Sequence, residues 1–403
     1  MALIPVQQAL QEIQKSASPG PKTSIPLRNA LGYVLAQDVS SHTTLPPLDV
    51  SAMDGYAIAK SDDIAKGSSL KVIGESPAGD PFKGTISRGE TVRIFTGGAV
   101  PSGANHVIIQ ENVNRTGDTI ELTEDVGPAA HIRKAGIDLK SGALIAQSGT
   151  RIDPYLSALL AAGNHELVTV YQRPKVALLA NGDELVEPGN APTQGEIISS
   201  NPYGLGPLIE EWGGDVIYAG ISKDSPNAIK AHIRACQDAD ILLPIGGASV
   251  GDRDFMRQVF DELGYQPVFT KTAVKPGKPT WFGTLNQHYV LGLPGNPASA
   301  LVCANIFLKP LMFKLSGRRD SAHETLSAQT TQNMPAVRDR AEYVRAKAVV
   351  NSEGQIEVTP FPKQDSSLIT PFVTANCLMI REANAPALEQ GDLVQVMLIK
   401  TIV

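Results

Sequence analysis

Apolar and polar positions along this 403-residue chain change period three times. The first stretch, MALIPVQQALQEIQKSAS, places Val6, Ala9, Leu10 and Ile13 on one face of a helix. This predicts an amphipathic helix rather than a signal peptide. Residues 44–142 then carry short apolar runs (LKVIGES, ETVRIFTGG, HVIIQENV, TIELTEDV) separated by Gly, Pro and Asp turns, the pattern of a β-rich unit. From 174 to 316 the runs KVALLA, DVIYAGI, DILLPIGG and YVLGLPG alternate with the helical stretches NPYGLGPLIEEWGG, SPNAIKAHIRACQDA and DFMRQVFDELGY. Alternation of this kind predicts a parallel α/β sheet. After 317 the short strands return as YVRAKAVV, IEVTPF, CLMIRE and LVQVMLI, which predict a small β-barrel. The fold class is therefore α/β plus β in several domains.

Composition narrows the function classes. Hydrophobic residues make up 42% of the chain and charged residues 19%, enough for packed cores and too little charge for disorder. A net charge of −6 speaks against a general nucleic-acid binder. Cys236, Cys303 and Cys377 are odd in number and far apart, so neither a disulfide framework nor a CxxC metal site is expected. No uninterrupted apolar run reaches the roughly 18 residues of a membrane span. The expectation is a soluble, cytoplasmic protein without a membrane or nucleic-acid partner.

Candidate chemistry clusters where ligands bind in open parallel sheets, beyond the carboxyl ends of the strands. After KVALLA comes NGDEL, where Gly182 permits a tight turn and Asp183 and Glu184 place two carboxylates at the rim. After DILLPI comes GGASVGDRD. Its Gly246, Gly247 and Gly251 let backbone amides approach an anion, Ser249 adds a hydroxyl, and Asp254 can cap the next helix or hold a cation. After YVLG comes LPGNPASA: Pro294 precedes the turn, Asn296 is a candidate N-cap, Pro297 suits the first helical turn, and Ser299 falls inside it. Between them, FTKTAVKPGKPTWFG sets Lys271, Lys275 and Lys278 around a Pro-Gly turn, and Lys275 and Lys278 can project toward one point. Singly, each motif has a plainer reading as a turn, a cap or a solvated charge. Their joint placement at one edge of one sheet favours an anion pocket. The β-rich unit adds LDVSAMDGYAI, with an Asp54-Gly55 turn, and RIFTGGAVP, with Thr96 in its loop.

Taken in order, SAMDGYA, RIFTGGAVP, NGDEL, GGASVGDRD, KPGKP and LPGNPASA closely resemble the molybdopterin molybdenumtransferase family, over nearly the whole chain. The resemblance implies an elongated homodimer. Its parts would be an N-terminal helix (1–23) on the α/β domain, a discontinuous domain (24–43 and 143–173), a β-rich domain (44–142), a molybdopterin-binding α/β domain (174–316) and a C-terminal β-barrel (317–403). It implies the reaction of adenylyl-molybdopterin with molybdate to give molybdenum cofactor and AMP. It implies Mg²⁺ near Asp183, Glu184 and Asp254. It also implies that Lys275, Lys278, Ser299, Arg345 and Ser366 hold molybdate, and that Asp54, Thr96, Asp224, Lys271 and Asp138 act at the site. A molybdopterin adenylyltransferase and acceptor molybdoenzymes are implied partners. The chain departs from the family pattern at Val50, Ile137, Asn181 and Ser199. Other readings are a paralogue using another oxyanion such as tungstate, a scaffold without turnover, and an unrelated phosphate-binding α/β enzyme. The last does not account for SAMDGYA or KPGKP.

Overall fold

The computed structural model describes residues 3–61, 63–246, 255–320 and 322–402. At its centre is a six-stranded sheet in the order Asp215–Ser222, Lys175–Asn181, Ile241–Ile245, His288–Gly292, Trp281–Leu285, Gln266–Phe269. The first four strands run parallel. Their near-continuous apolar sequences follow from burial on both faces. On one face Val176, Leu178, Ile241, Leu243 and Leu291 pack against the N-terminal helix Val6–Ser16, the helix Asn201–Glu211 and the helical run from Pro297 to Leu315. On the other, Ala177, Leu179, Leu242 and Val290 pack against the helices Pro226–Ala235 and Phe255–Glu262.

The sequence pattern suggested parallel strands throughout this unit. The structure adds an antiparallel edge: Gln266–Phe269 pairs with Trp281–Leu285, which turns at Asn286 (φ 52°) into His288–Gly292. No helix separates the last two strands, and a hairpin can only join antiparallel neighbours.

The helical run Pro297–Leu315 is long and apolar enough to cross a bilayer, yet 83% of it is buried inside the protein. Phe307, Leu308 and Leu311 are fully buried in the largest core, so its hydrophobicity is explained by packing.

A second six-stranded sheet occupies the β-rich region, in the order His106–Ile109, Gly55–Ile58, Glu90–Ile94, Ser69–Ser76, Thr119–Leu122, Val113–Thr116. The run HVIIQENV divides into two of these strands around a 3-10 turn at Gln110–Asn112. Residues on either side of this sheet in sequence meet again: Lys22–Pro26 pairs with Leu167–Tyr171, beside the helix Pro154–Ala162. Asp153 caps that helix, accepting from the Leu156 amide at 2.7 Å.

Near the C-terminus, Thr325–Thr330, Ala341–Val350, Ile356–Pro360, Cys377–Arg381 and Leu393–Leu398 close into a five-stranded barrel around Ala346, Val358, Met379 and Val396. The short strand Val274–Lys275 leaves the α/β unit and joins the barrel, pairing in parallel with Ala341–Glu342. It ties the two units together beside the LPGNP turn. The three cysteines are buried free thiols.

Candidate functional site

The carboxyl ends of four parallel strands open into a cavity of about 810 Å³. Each strand end contributes. Asn181 closes the first strand and Glu184 follows it; Asp224 lies just past the second, Gly246 past the third, and Pro294, Asn296 and Pro297 past the fourth. Lys271 and Lys278 line the same cavity. Sequence motifs separated by more than one hundred residues thus meet at one edge of the sheet. Gly247, Ser249, Gly251 and Asp254 lie outside the described residues.

The acidic side is ordered by local bonds. Gly182 has φ 154°, a backbone conformation that favours glycine, and a Cβ there would displace the Glu184 carboxylate, whose oxygen would stand 2.7 Å away. Asn181 donates from Nδ2 to Asp224 at 2.5 Å, and the Asp224 amide donates to Asp183 at 3.3 Å. Asp183 therefore braces the loop, while Glu184 and Asp224 face the cavity. The Asn181 Oδ1 atom is buried with no protein partner, and so is Asn201 Oδ1, whose amide nitrogen donates to the Gly295 carbonyl at 2.7 Å. Both residues line the cavity. Buried acceptors without partners point to a polar ligand. Asn201 was not singled out from sequence; its signal was its place at the end of IISSN, as the first residue of the helix Asn201–Glu211.

One wall is apolar. Ile197 and Ile198 pair in parallel with Leu185–Val186 and line the cavity while remaining partly open to solvent. This wall is pinned by Glu187, which accepts from Tyr203 at 2.9 Å and from Tyr218 at 2.6 Å. Burial, and then the Glu187 contact, push the Tyr218 phenol upward, so it stays a donor.

The basic side differs from the arrangement read from sequence. Lys278 faces the cavity, but Lys275 does not line it; its ammonium lies 2.8 Å from Glu342. Arg345 is fully buried. It donates to Gln364, to the Leu368 carbonyl at 2.7 Å and to the Asp365 carbonyl at 2.9 Å, so it shapes the 364–368 loop. That loop carries Ser366, whose carbonyl accepts from the amides of Ala298 (3.1 Å) and Ser299 (3.4 Å). The first amides of the helix Pro297–Cys303 are thus already occupied by Ser366. Asn296 donates to the Ser366 hydroxyl rather than capping its own helix. Ser299 is buried, and Ser367 is the loop residue that reaches the cavity.

Asp54 and Thr96 form a separate constellation on the β-rich sheet. Asp54 accepts from the Thr96 amide at 2.7 Å and from its hydroxyl at 2.9 Å, and these bonds hold the Asp54 pKa below the ordinary aspartate value. Arg93 stacks between Tyr56 and Phe95 next to them. Asp138 is exposed on the same unit. None of the three carboxylate or hydroxyl residues Asp54, Thr96 and Asp138 lines the cavity.

Three family profiles match successive parts of the chain: "MoeA N-terminal region (domain I and II)" over residues 4–163, "Probable molybdopterin binding domain" over 177–314, and "MoeA C-terminal region (domain IV)" over 327–399. A molybdopterin molybdenumtransferase of Haemophilus influenzae is 37% identical over 92% of each chain. The chain belongs to the molybdopterin molybdenumtransferase family. A relative of the same name from Staphylococcus aureus is 28% identical over 98% of this chain and 95% of its own. Among solved structures, a molybdopterin biosynthesis MoeA protein from Pyrococcus horikosii superposes with a TM-score of 0.84 at 31% identity, covering 99% of this chain and 100% of its own. The chain is thus a molybdotransferase with a role in molybdenum cofactor biosynthesis.

Proposed function

We propose that the cavity binds adenylyl-molybdopterin together with molybdate and releases molybdenum cofactor and AMP. The observation that carries this reading is the polarity of the cavity, which Lys271 and Lys278 line together with Glu184 and Asp224 at the carboxyl ends of one sheet. Molybdate is a tetrahedral dianion, suited to lysine ammonium groups. The Ile197–Ile198 wall suits a flat pterin, and the unpartnered amide oxygens of Asn181 and Asn201 suit its N–H groups.

Mg²⁺ fits this donor set. Glu184 and Asp224 are hard oxygen ligands, and Mg²⁺ needs only one or two carboxylates because it keeps waters. The ion would supply charge neutralisation at the pyrophosphate. Asp183 holds the Asp224 backbone, and Asn181 orients the Asp224 carboxylate.

The functional unit is proposed to be a homodimer, in which the Asp54–Thr96 loop of a second copy closes the cavity. The helix Pro154–Ala162 supports this. It is apolar almost all round, Leu160 is its one buried side chain, and Tyr155 is 86% exposed. Helices of that composition are normally covered. A cytoplasmic location, and docking to a molybdopterin adenylyltransferase and acceptor molybdoenzymes, belong to the same proposal.

Lys278→Ala tests the pocket. It should reduce molybdate-dependent AMP release at least tenfold, with the melting temperature nearly unchanged because Lys278 is exposed. Full turnover in this variant would remove the lysine side from the mechanism.

A further inference from the structure

Lys275 stands four residues from Lys271 and three from Lys278, yet only the other two face the cavity. The backbone explains where Lys275 goes. In the parallel ladder, Val274 is opposite Ala341 and Lys275 opposite Glu342, which brings their side chains to one face of the barrel strand. The ion pair is 2.8 Å long, with the Lys275 side chain 55% exposed and that of Glu342 26%. On the other side of the same strand, Arg381 is in register with Glu342, but its guanidinium donates to the carbonyls of Pro335 and Pro386. Lys275 is the ammonium that Glu342 holds.

The turn that joins Lys275 to Lys278 is tightly packed. A Cβ on Gly277 (φ 126°) would stand 2.1 Å from Cys303 Sγ, and the Gly277 carbonyl accepts from Thr280 at 2.8 Å. The Thr272 amide donates to the Lys278 carbonyl, which closes the loop at its base. The backbone is fixed, so the freedom left to Lys275 lies in its side chain. A mobile, half-exposed ammonium on a rigid turn beside two cavity lysines can exchange partners.

We propose that Glu342 is a positioning residue for the oxyanion: it holds Lys275 as a reserve cation, and a bound tetrahedral dianion competes with Glu342 for that ammonium. This rests on the reading of the cavity as the molybdate pocket. Glu342 plays two parts. It relieves the repulsion among three neighbouring lysines when no anion is bound. It also weakens anion binding, because Lys275 must leave Glu342 to join Lys271 and Lys278. Exposed ion pairs are exchanged at small cost, so the expected effect is about two- to fivefold rather than orders of magnitude.

The test uses the full-length protein, adenylyl-molybdopterin and Mg²⁺, with AMP release followed as molybdate is varied. Glu342→Gln should lower the half-saturating molybdate concentration about two- to fivefold, with a smaller change in the maximal rate. Glu342→Asp, with a shorter reach, should shift it in the same direction by less. Lys275→Ala should raise it, and Glu342→Gln added to Lys275→Ala should then have no further effect. A half-saturation that is unchanged or raised in both Glu342 variants overturns the proposal. So does a shift that persists without Lys275, or a lowered melting temperature with molybdate dependence unmoved. Wild-type protein that releases no AMP in response to molybdate would overturn the pocket reading itself, and this inference with it.

Discussion

Asp54 takes two hydrogen bonds from one residue, the amide and hydroxyl of Thr96, and both favour its charged form. The consequence has a definite sign. A carboxyl whose folded pKa is depressed contributes stability that is present above the unfolded value of about 3.9 and is lost as pH falls through the lower folded value. Asp54 should therefore be a carboxylate throughout the neutral range. A carbon-detected titration should find its midpoint below that of a free aspartate, and Thr96→Val should move it upward by removing the hydroxyl bond; an unmoved midpoint would deny Thr96 this role. At this scale the sequence was informative about residue types and less so about their partners. NGDEL and LPGNP announced a cavity edge, and Glu184, Asn296 and Pro297 line it. Glu342 was invisible as the partner of Lys275 because the two are 67 residues apart and meet only through strand register. Arg345 entered only through the family resemblance, and its burial among loop carbonyls depends on how the barrel closes.

The strands that carry the site are held by close backbone approaches as much as by apolar packing. Gly55 begins a central strand of the β-rich sheet, and a Cβ there would stand 2.0 Å from the Ile108 carbonyl oxygen. Gly55→Ala should force the strands apart, costing about 1–3 kcal/mol of stability by overpacking. Because Gly55 follows Asp54 directly, it should also misplace that carboxylate and lower turnover. Thermal melting and AMP release measured together check both parts; a wild-type melting temperature would show that the strands yield freely. Element types were largely readable from period: buried parallel strands as continuous apolar runs, and the Val6–Ser16 helix from the spacing of Val6, Ala9 and Ile13. The antiparallel edge was not, since a strand buried on both faces has the same apolar sequence whichever way its neighbour runs. The apolar helix after Pro297 was equally ambiguous, and its burial in the core settles its role.

For the whole molecule, the proposed homodimer is supported by the exposed apolar side of Pro154–Ala162. Light scattering should give near twice the 42.7 kDa chain mass. Tyr155→Glu with Ala158→Glu should yield a folded monomer without turnover, and a monomeric wild type would contradict a shared site. The succession of β-rich, α/β and C-terminal β regions was legible because their hydrophobic periods differ. Their mutual placement was not, as it depends on pairings such as Lys22–Pro26 with Leu167–Tyr171 that span the whole β-rich unit. The central claim, an oxyanion-dependent cleavage in the cavity at the strand ends, is tested most directly by a single turnover. Purified protein in excess over adenylyl-molybdopterin, with Mg²⁺, is mixed with or without micromolar molybdate and AMP is measured over time. The account predicts AMP release that depends on molybdate. Release at the same rate without molybdate, or tight binding of the adenylylated pterin with no release at all, would contradict it.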